Sequence, residues 1–208
     1  MQCTLCNSST VIFCEYKEKL FYKCSNCEGI LLNKDHYLDF NTEKHRYDKH
    51  SDDIEDKGYQ QFVKPLIDIV LENHTFSDKG LDYGCGKTAI VEQLLLRKKY
   101  NMVGYDPIYF PEENILKGKY NYITSCEVVE HFYNPAKEFQ RLSELLLPTG
   151  KLYLKTYLFK EGIEFKNWWY KNDPTHVFFY SARAFEYITE EFNFSNLQIN
   201  DKYIELSK

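Results

Sequence analysis

Four cysteines stand as two C-x2-C pairs, Cys3 with Cys6 and Cys24 with Cys27, separated by 17 residues. Each pair can form a tight knuckle that offers two thiolates to one ion, and two knuckles complete a closed tetrahedral site with no open position for catalysis. Cys3, Cys6, Cys24 and Cys27 therefore predict a structural Zn2+. Val11–Phe13 and Leu20–Lys23 supply hairpin strands between the knuckles. A module of about 30 residues buries too little surface to hold itself together, so metal binding would supply much of its folding energy. Cys14 falls outside the pattern and is read as a spectator.

A second group of residues surrounds the glycine turn Leu81-Asp82-Tyr83-Gly84-Cys85-Gly86-Lys87-Thr88. Gly86-Lys87-Thr88 is the end of a phosphate-binding P-loop, but that motif needs glycine five positions before Gly86, where Leu81 stands. Gly84-x-Gly86-x-x-Ala89 also fits the looser dinucleotide turn, with Asp106 20 residues beyond Gly86, which makes an NAD(P)-dependent oxidoreductase one candidate. Asp82 speaks against it, because an apolar residue is more usual just ahead of those glycines.

The third reading rests on several segments in order. Asp82-Tyr83-Gly84-Cys85-Gly86 resembles motif I of the class I S-adenosylmethionine-dependent methyltransferases. Ile123–His131 resembles their fourth-strand segment, followed by a helix opening at Asn134-Pro135. Leu146-Leu147-Pro148-Thr149-Gly150 is similar to the lead into their fifth strand. These matches span about residues 58–200. The resemblance implies S-adenosylmethionine as cofactor, held by Asp82, Tyr83, Gly84, Gly86, Asp106, Pro107 and the Ser125–Glu127 segment with Cys126 and Glu127. Asp106 matches the acidic ribose-binding position. Small residues let backbone approach the ligand, and the following helix offers free N–H groups to it. Only 13 residues (107–119) separate the second and third strands, too few for a full helix-plus-strand crossover, so one α/β unit reads as trimmed. Ile108, Tyr109 and Phe110 are then the candidates to stack on the adenine. With the cysteine head and Arg46–His50, the trimmed form resembles an uncharacterised bacterial group with an N-terminal zinc ribbon, related to the ubiquinone-pathway O-methyltransferases.

For methyl transfer the protein must hold an acceptor, remove a proton and exclude water. His176, in the polar loop Asn172–Tyr180 beside Trp168, Trp169 and Tyr170, is the first candidate base. His50, with Arg46 and Tyr47 in a segment that can fold over the site, is the second. Glu127, Glu130 and His131 match the E-x-x-E-H residues that resemble the cation-binding set of the ubiquinone-pathway enzymes. The alternative to catalysis is a cofactor-binding scaffold whose head recruits a protein partner.

The elements that must position these groups alternate. A helix is expected from Tyr59, with Pro65 near its first turn or bending it. Strands follow at 80–83, 102–106, 120–126 and 151–158, with helices near 88–99, 134–147 and 181–192, and further strands at 197–199 and 203–206. This is an α/β, Rossmann-like methyltransferase sheet, mainly parallel, with helices on both faces and a small zinc ribbon in front. The division reads as a head at 1–32, an acidic connector or lid at 33–57 and a cofactor-binding domain at 58–208. The chain has 208 residues, 43% apolar and 27% charged with a formal charge of −5, enough to bury a core. Residues 1–60 carry 8 Lys and Arg against 11 Asp and Glu, a poor footprint for nucleic acid, so a small-molecule acceptor is the expected partner. No apolar run reaches the roughly 18 residues of a membrane span and no leader is visible, so a cytoplasmic protein with reduced thiols is expected. No feature of the sequence fixes the oligomeric state.

Overall fold

The computed structural model describes residues 1–49 and 53–208. The head begins with a hairpin of β1 (Thr10–Tyr16) and β2 (Lys19–Cys24). Tyr16 pairs with Lys19, and both residues of the intervening loop, Lys17 and Glu18, have positive φ (48° and 63°). That geometry matches the twist of the flanking strands. A short third strand, β3 (Ile30–Leu32), pairs antiparallel with β2. Helix α1 (Phe40–Asp48) follows; Asp39 caps it by accepting from the N–H groups of Asn41 and Thr42, and none of its residues is buried.

Helix α2 (Lys57–Asn73) buries Val63, Leu66, Ile67, Ile69 and Val70. Asp56 caps it, so Pro65 falls in the helix interior and not in the first turn. The chain then runs through β4 (Lys79–Tyr83), α3 (Ile90–Arg97), β5 (Asn101–Tyr105), β6 (Tyr120–Cys126), α4 (Pro135–Leu145), β7 (Leu146–Lys155), β8 (Phe178–Phe179), α5 (Ala182–Glu191), β9 (Asn196–Ile199) and β10 (Ile204–Ser207).

The main sheet has the order β5-β4-β6-β7-β10-β9. Its first four strands are parallel, and β10 runs antiparallel to both β7 and β9. The sheet is therefore mixed. Helices α2 and α3 cover one face over Met102, Tyr122 and Tyr153. The other face packs Leu81, Ile123, Leu152 and Leu154 against α4 and α5 through Phe139, Leu142, Phe185 and Ile188. Between β5 and β6 there is only a single turn of helix at Ile115–Lys117, so the connection is as short as its 13 residues require. The strand order reverses beside β4, and in such sheets the crevice at the carboxyl ends of the strands is where a ligand sits.

The head's sheet is completed from outside the head. Its order is β1-β2-β3-β8, and Cys3, Leu5, Cys24, Cys27 and Leu31 share one continuous apolar core with Phe139, Phe178 and Tyr180. Among the described residues no helix is long and apolar enough to cross a membrane.

Candidate functional site

At the carboxyl end of β4 the chain turns through Gly84 (φ 76°) and Gly86 (φ 65°), conformations that cost L-residues strain. Gly84 has a second reason to be glycine: a Cβ there would lie 2.5 Å from Cγ1 of Val128. The N–H groups of Gly84 and Cys85 donate to the carbonyl of Tyr105 (2.8 and 3.1 Å), which closes the turn onto β5. Asp106 braces it from the same side. Its Oδ2 accepts from Gly86 N–H at 3.0 Å, and its Oδ1 accepts from the N–H groups of Ile108 and Tyr109 at 2.8 and 3.0 Å. Asp82 is buried beside it and accepts from Thr124 Oγ1 at 3.0 Å. Burial pushes its carboxyl up to about 7, against the pull of the Thr124 hydrogen bond.

These residues line one side of a cavity of about 1270 Å3. Tyr83, Pro107, Cys126 and Glu127 line it as well. Tyr83 stacks on Tyr105 (centroids 5.4 Å apart) and donates to Glu138, while Arg141 donates to the Tyr83 hydroxyl at 3.1 Å. Burial holds the thiols of Cys85 and Cys126 well above their ordinary range, so neither is a nucleophile at neutral pH.

The opposite wall carries Tyr47, His131 and His176, which three separate segments bring together, with Glu130 fully buried beside the two imidazoles. His176 Nδ1 lies 2.8 Å from the carbonyl of Tyr170, and His131 Nδ1 lies 3.1 Å from the carbonyl of Thr175. A carbonyl only accepts, so each Nδ1 carries a proton and each ring turns Nε2 the other way. Both Nε2 atoms face Glu130 Oε1, at 3.9 Å from His131 and 4.0 Å from His176. Those gaps are too long for hydrogen bonds. Glu130 is fully buried; Thr156 donates to its Oε2 at 2.9 Å, and its Oε1 has no hydrogen-bond partner among the described residues. Oε1 of Glu127 is likewise buried without a partner, and burial beside Glu130 pushes this carboxyl up to about 9. Burial, then the neighbouring His131, holds His176 down to about 4.

Tyr47 reaches this group from α1. Its hydroxyl donates to Glu43 at 2.9 Å and sits 3.2 Å from His131 Nδ1. His50 lies outside the described residues. Sequence reasoning passed over Asp173 and Thr175, which lie three and five positions beyond Tyr170 of the aromatic pair Trp169-Tyr170. Asp173 Oδ1 accepts from the N–H of Thr175 at 3.0 Å, which aims the Thr175 carbonyl at His131. The Asp-x-Thr order was the available signal, since that pairing forms local turns.

In the head, Sγ of Cys3 lies 3.6 Å from that of Cys27, and Sγ of Cys6 lies 3.3 Å from that of Cys24. All four sulfurs lie within 4.8 Å of one another, and none is in a disulfide. Four thiolates at the usual Zn–S length stand about 3.8 Å apart, so the residues fit that ion.

A methyltransferase-domain family model matches residues 37–199. No curated protein matches the chain by sequence. Among solved structures, an O-methyltransferase family protein from Burkholderia thailandensis superposes with a TM-score of 0.55 at 12% identity, over 79% of this chain and 61% of that one. An O-methyltransferase of Nostoc punctiforme gives 0.54 at 13% identity, over 69% and 54% of the two chains. The 1,6-didemethyltoxoflavin-N1-methyltransferase of Burkholderia thailandensis gives 0.57 at 10% identity and covers 94% of this chain and 97% of its own. This chain thus spans about three fifths and half of the first two proteins. The family match decides between the two surviving readings of the glycine turn: the chain belongs to the methyltransferase-domain family.

Proposed function

We propose that this protein transfers the methyl group of S-adenosylmethionine to a small-molecule acceptor. The observation that carries this reading is that the Gly84–Gly86 turn, braced by Asp106, opens into the same cavity as His131 and His176. At about 1270 Å3 the cavity exceeds the roughly 300–1,000 Å3 of a typical ligand site, which leaves room for a cofactor and a second molecule. The similar N1-methyltransferase structure, with its bound 1,6-didemethyltoxoflavin and S-adenosylhomocysteine, supports a small acceptor.

S-adenosylmethionine would supply an activated methyl group, so the chain's work is to hold, orient and desolvate. Asp82, Tyr83, Gly84, Gly86, Asp106, Pro107, Cys126 and Glu127 are assigned to the cofactor end. Trp169 and Tyr170 wall the other end against water, and α1 with Tyr47, in the segment read as connector or lid, is assigned the lid. His176, held near 4, is a weak base at neutral pH. Its Nε2, that of His131 and the orphan oxygen of Glu130 better suit a divalent cation, and Glu130 and His131 belong to the set that resembles the ubiquinone-pathway enzymes. Such a cation would lower the acceptor's pKa, which is what a weak base needs. The head at 1–32 is assigned a structural Zn2+ on Cys3, Cys6, Cys24 and Cys27, the cofactor domain is 58–208, and reduced thiols suit a cytoplasmic setting.

Calorimetric titration with S-adenosylhomocysteine, repeated with NADH, tests the reading. Micromolar binding of S-adenosylhomocysteine that is lost in Asp106→Ala is the expected result. Binding of NADH alone would overturn it.

A further inference from the structure

The head and the segment that carries His176 are one piece of sheet. Ile30 and Leu31 of β3 pair with Phe179 and Phe178 of β8. Just before β8, Val177 is held from both sides: the N–H of Leu32 donates to its carbonyl at 3.0 Å, and its own N–H donates to the carbonyl of Glu130 at 2.9 Å. The residue next to His176 thus bridges the head and the acid that His176 faces.

Two further contacts grip the segment at its ends. Downstream, Ser181 Oγ donates to the carbonyl of Cys27 at 3.1 Å while accepting from Ala184 N–H, so the cap of α5 hangs directly on a cysteine knuckle. Upstream, Lys171 is buried, and its Nζ lies 3.8 Å from the centroid of the Tyr16 ring on β1. That ammonium donates to the Trp168 carbonyl and the Asn172 side chain, at 3.3 and 3.1 Å. The ring face is what the head contributes to its solvation. Pairing of β3 with β8 involves only two residue pairs, too little to fix a segment unless both sides are held.

We infer that the four-cysteine head is the positioning element of the active site: its metal-held knuckle and Tyr16 fix residues 171–181, and through Val177 they set His176 against Glu130. Tyr16 and Ser181 are positioning residues, since neither lines the cavity. The effect on turnover rests on the methyltransferase reading; the effect on the segment does not.

The test uses the full chain and three readouts: amide hydrogen exchange, S-adenosylhomocysteine affinity and Mn2+ affinity. Tyr16→Ala and Ser181→Ala should speed exchange across 171–181 while β4 and β5 keep their protection. Mn2+ affinity should fall within the roughly 10–100-fold typical of groups that orient ligands, with S-adenosylhomocysteine affinity unchanged. Tyr16→Phe, which keeps the ring, should behave as wild type. Cys27→Ser should exceed both alanine variants. Wild-type exchange in Tyr16→Ala and Ser181→Ala overturns the inference, and it does so even where Cys27→Ser unfolds the whole chain. A wild-type protein that binds no S-adenosylhomocysteine sinks the methyltransferase reading instead, and the exchange data still decide this one.

Discussion

Arg46 and Asp173 meet at 2.8 Å across 127 positions of sequence, joining α1 to the loop that presents His176. Helix α1 buries none of its residues, so it keeps its place over the cavity through polar contacts. Tyr109 donates to Asp48 at 2.8 Å at the cofactor end, and Tyr133 donates to the Leu38 carbonyl at 3.0 Å at the other. A wall held this way can be loosened without unfolding the sheet.

Arg46→Ala should therefore separate function from stability. The pair is part-exposed, so its loss should cost no more than about 1 kcal/mol in urea unfolding. The acceptor KM should rise by about tenfold or more if α1 closes the site, since misplacement by an ångström can cost about 100-fold in rate. S-adenosylhomocysteine affinity, measured by calorimetry, should stay at the wild-type value.

Asp173 gives the loop an acid-sensitive anchor. Burial works against its charge, but the Thr175 hydroxyl and N–H, with His176 and Arg46, hold its carboxyl down to about 2. A depressed folded value means that the stabilisation is fully present above the unfolded carboxylate value of about 3.9 and is lost as pH falls through about 2. In urea unfolding, the gap between wild type and Asp173→Asn should thus be constant from neutral pH to about pH 5, then close by about 2 kcal/mol on the way to pH 2. A gap that widens with acid would assign the loop's stability to some other group.

Glu130→Gln should act in opposite directions on binding and stability. The substitution keeps the shape and the Thr156 contact while replacing an oxygen that has no partner among the described residues. Mn2+ affinity should fall by more than about tenfold. The melting temperature in EDTA should hold or rise, because a buried oxygen without a partner is a cost in the metal-free protein. A lower melting temperature in EDTA would instead make Glu130 a structural acid.

Much of this architecture was legible because it is local. The two C-x2-C pairs, the glycine turn after an apolar strand, and β6 at Tyr120–Cys126 each carry their signal within a dozen residues. Helix α1 was not legible as a helix: with no buried face it lacks apolar periodicity, and it read as connector. Strand β8, two residues long in a loop, has no period to detect, and its partner lies in the head. The sequence held His131 and His176 as separate candidates; only the meeting of distant loops sets their rings 4.7 Å apart. Pro65, expected near the first turn of this helix or bending it, lies in the interior of α2, and the flanking apolar face is strong enough to carry the helix through it.

The two glycines of the turn should differ in a way that separates strain from crowding. Alanine at position 86 meets no atom within 4 Å, so it faces only the positive φ of 65°. Gly86→Ala should cost about 1–2 kcal/mol in urea unfolding and weaken S-adenosylhomocysteine modestly. Alanine at position 84 adds to a φ of 76° a Cβ that collides with both γ-carbons of Val128. Relief would push Val128 and, with it, the Glu127–His131 segment, in which Glu127, Val128 and His131 line the cavity. Gly84→Ala should therefore cost more than its partner, about 2–4 kcal/mol, and should lower Mn2+ affinity as well. Gly84→Ala combined with Val128→Ala tests the crowding directly: the double variant should recover the Mn2+ affinity and retain only the strain shared with Gly86→Ala. If the double variant binds Mn2+ no better than Gly84→Ala alone, the turn and the cation cluster are not joined through Val128.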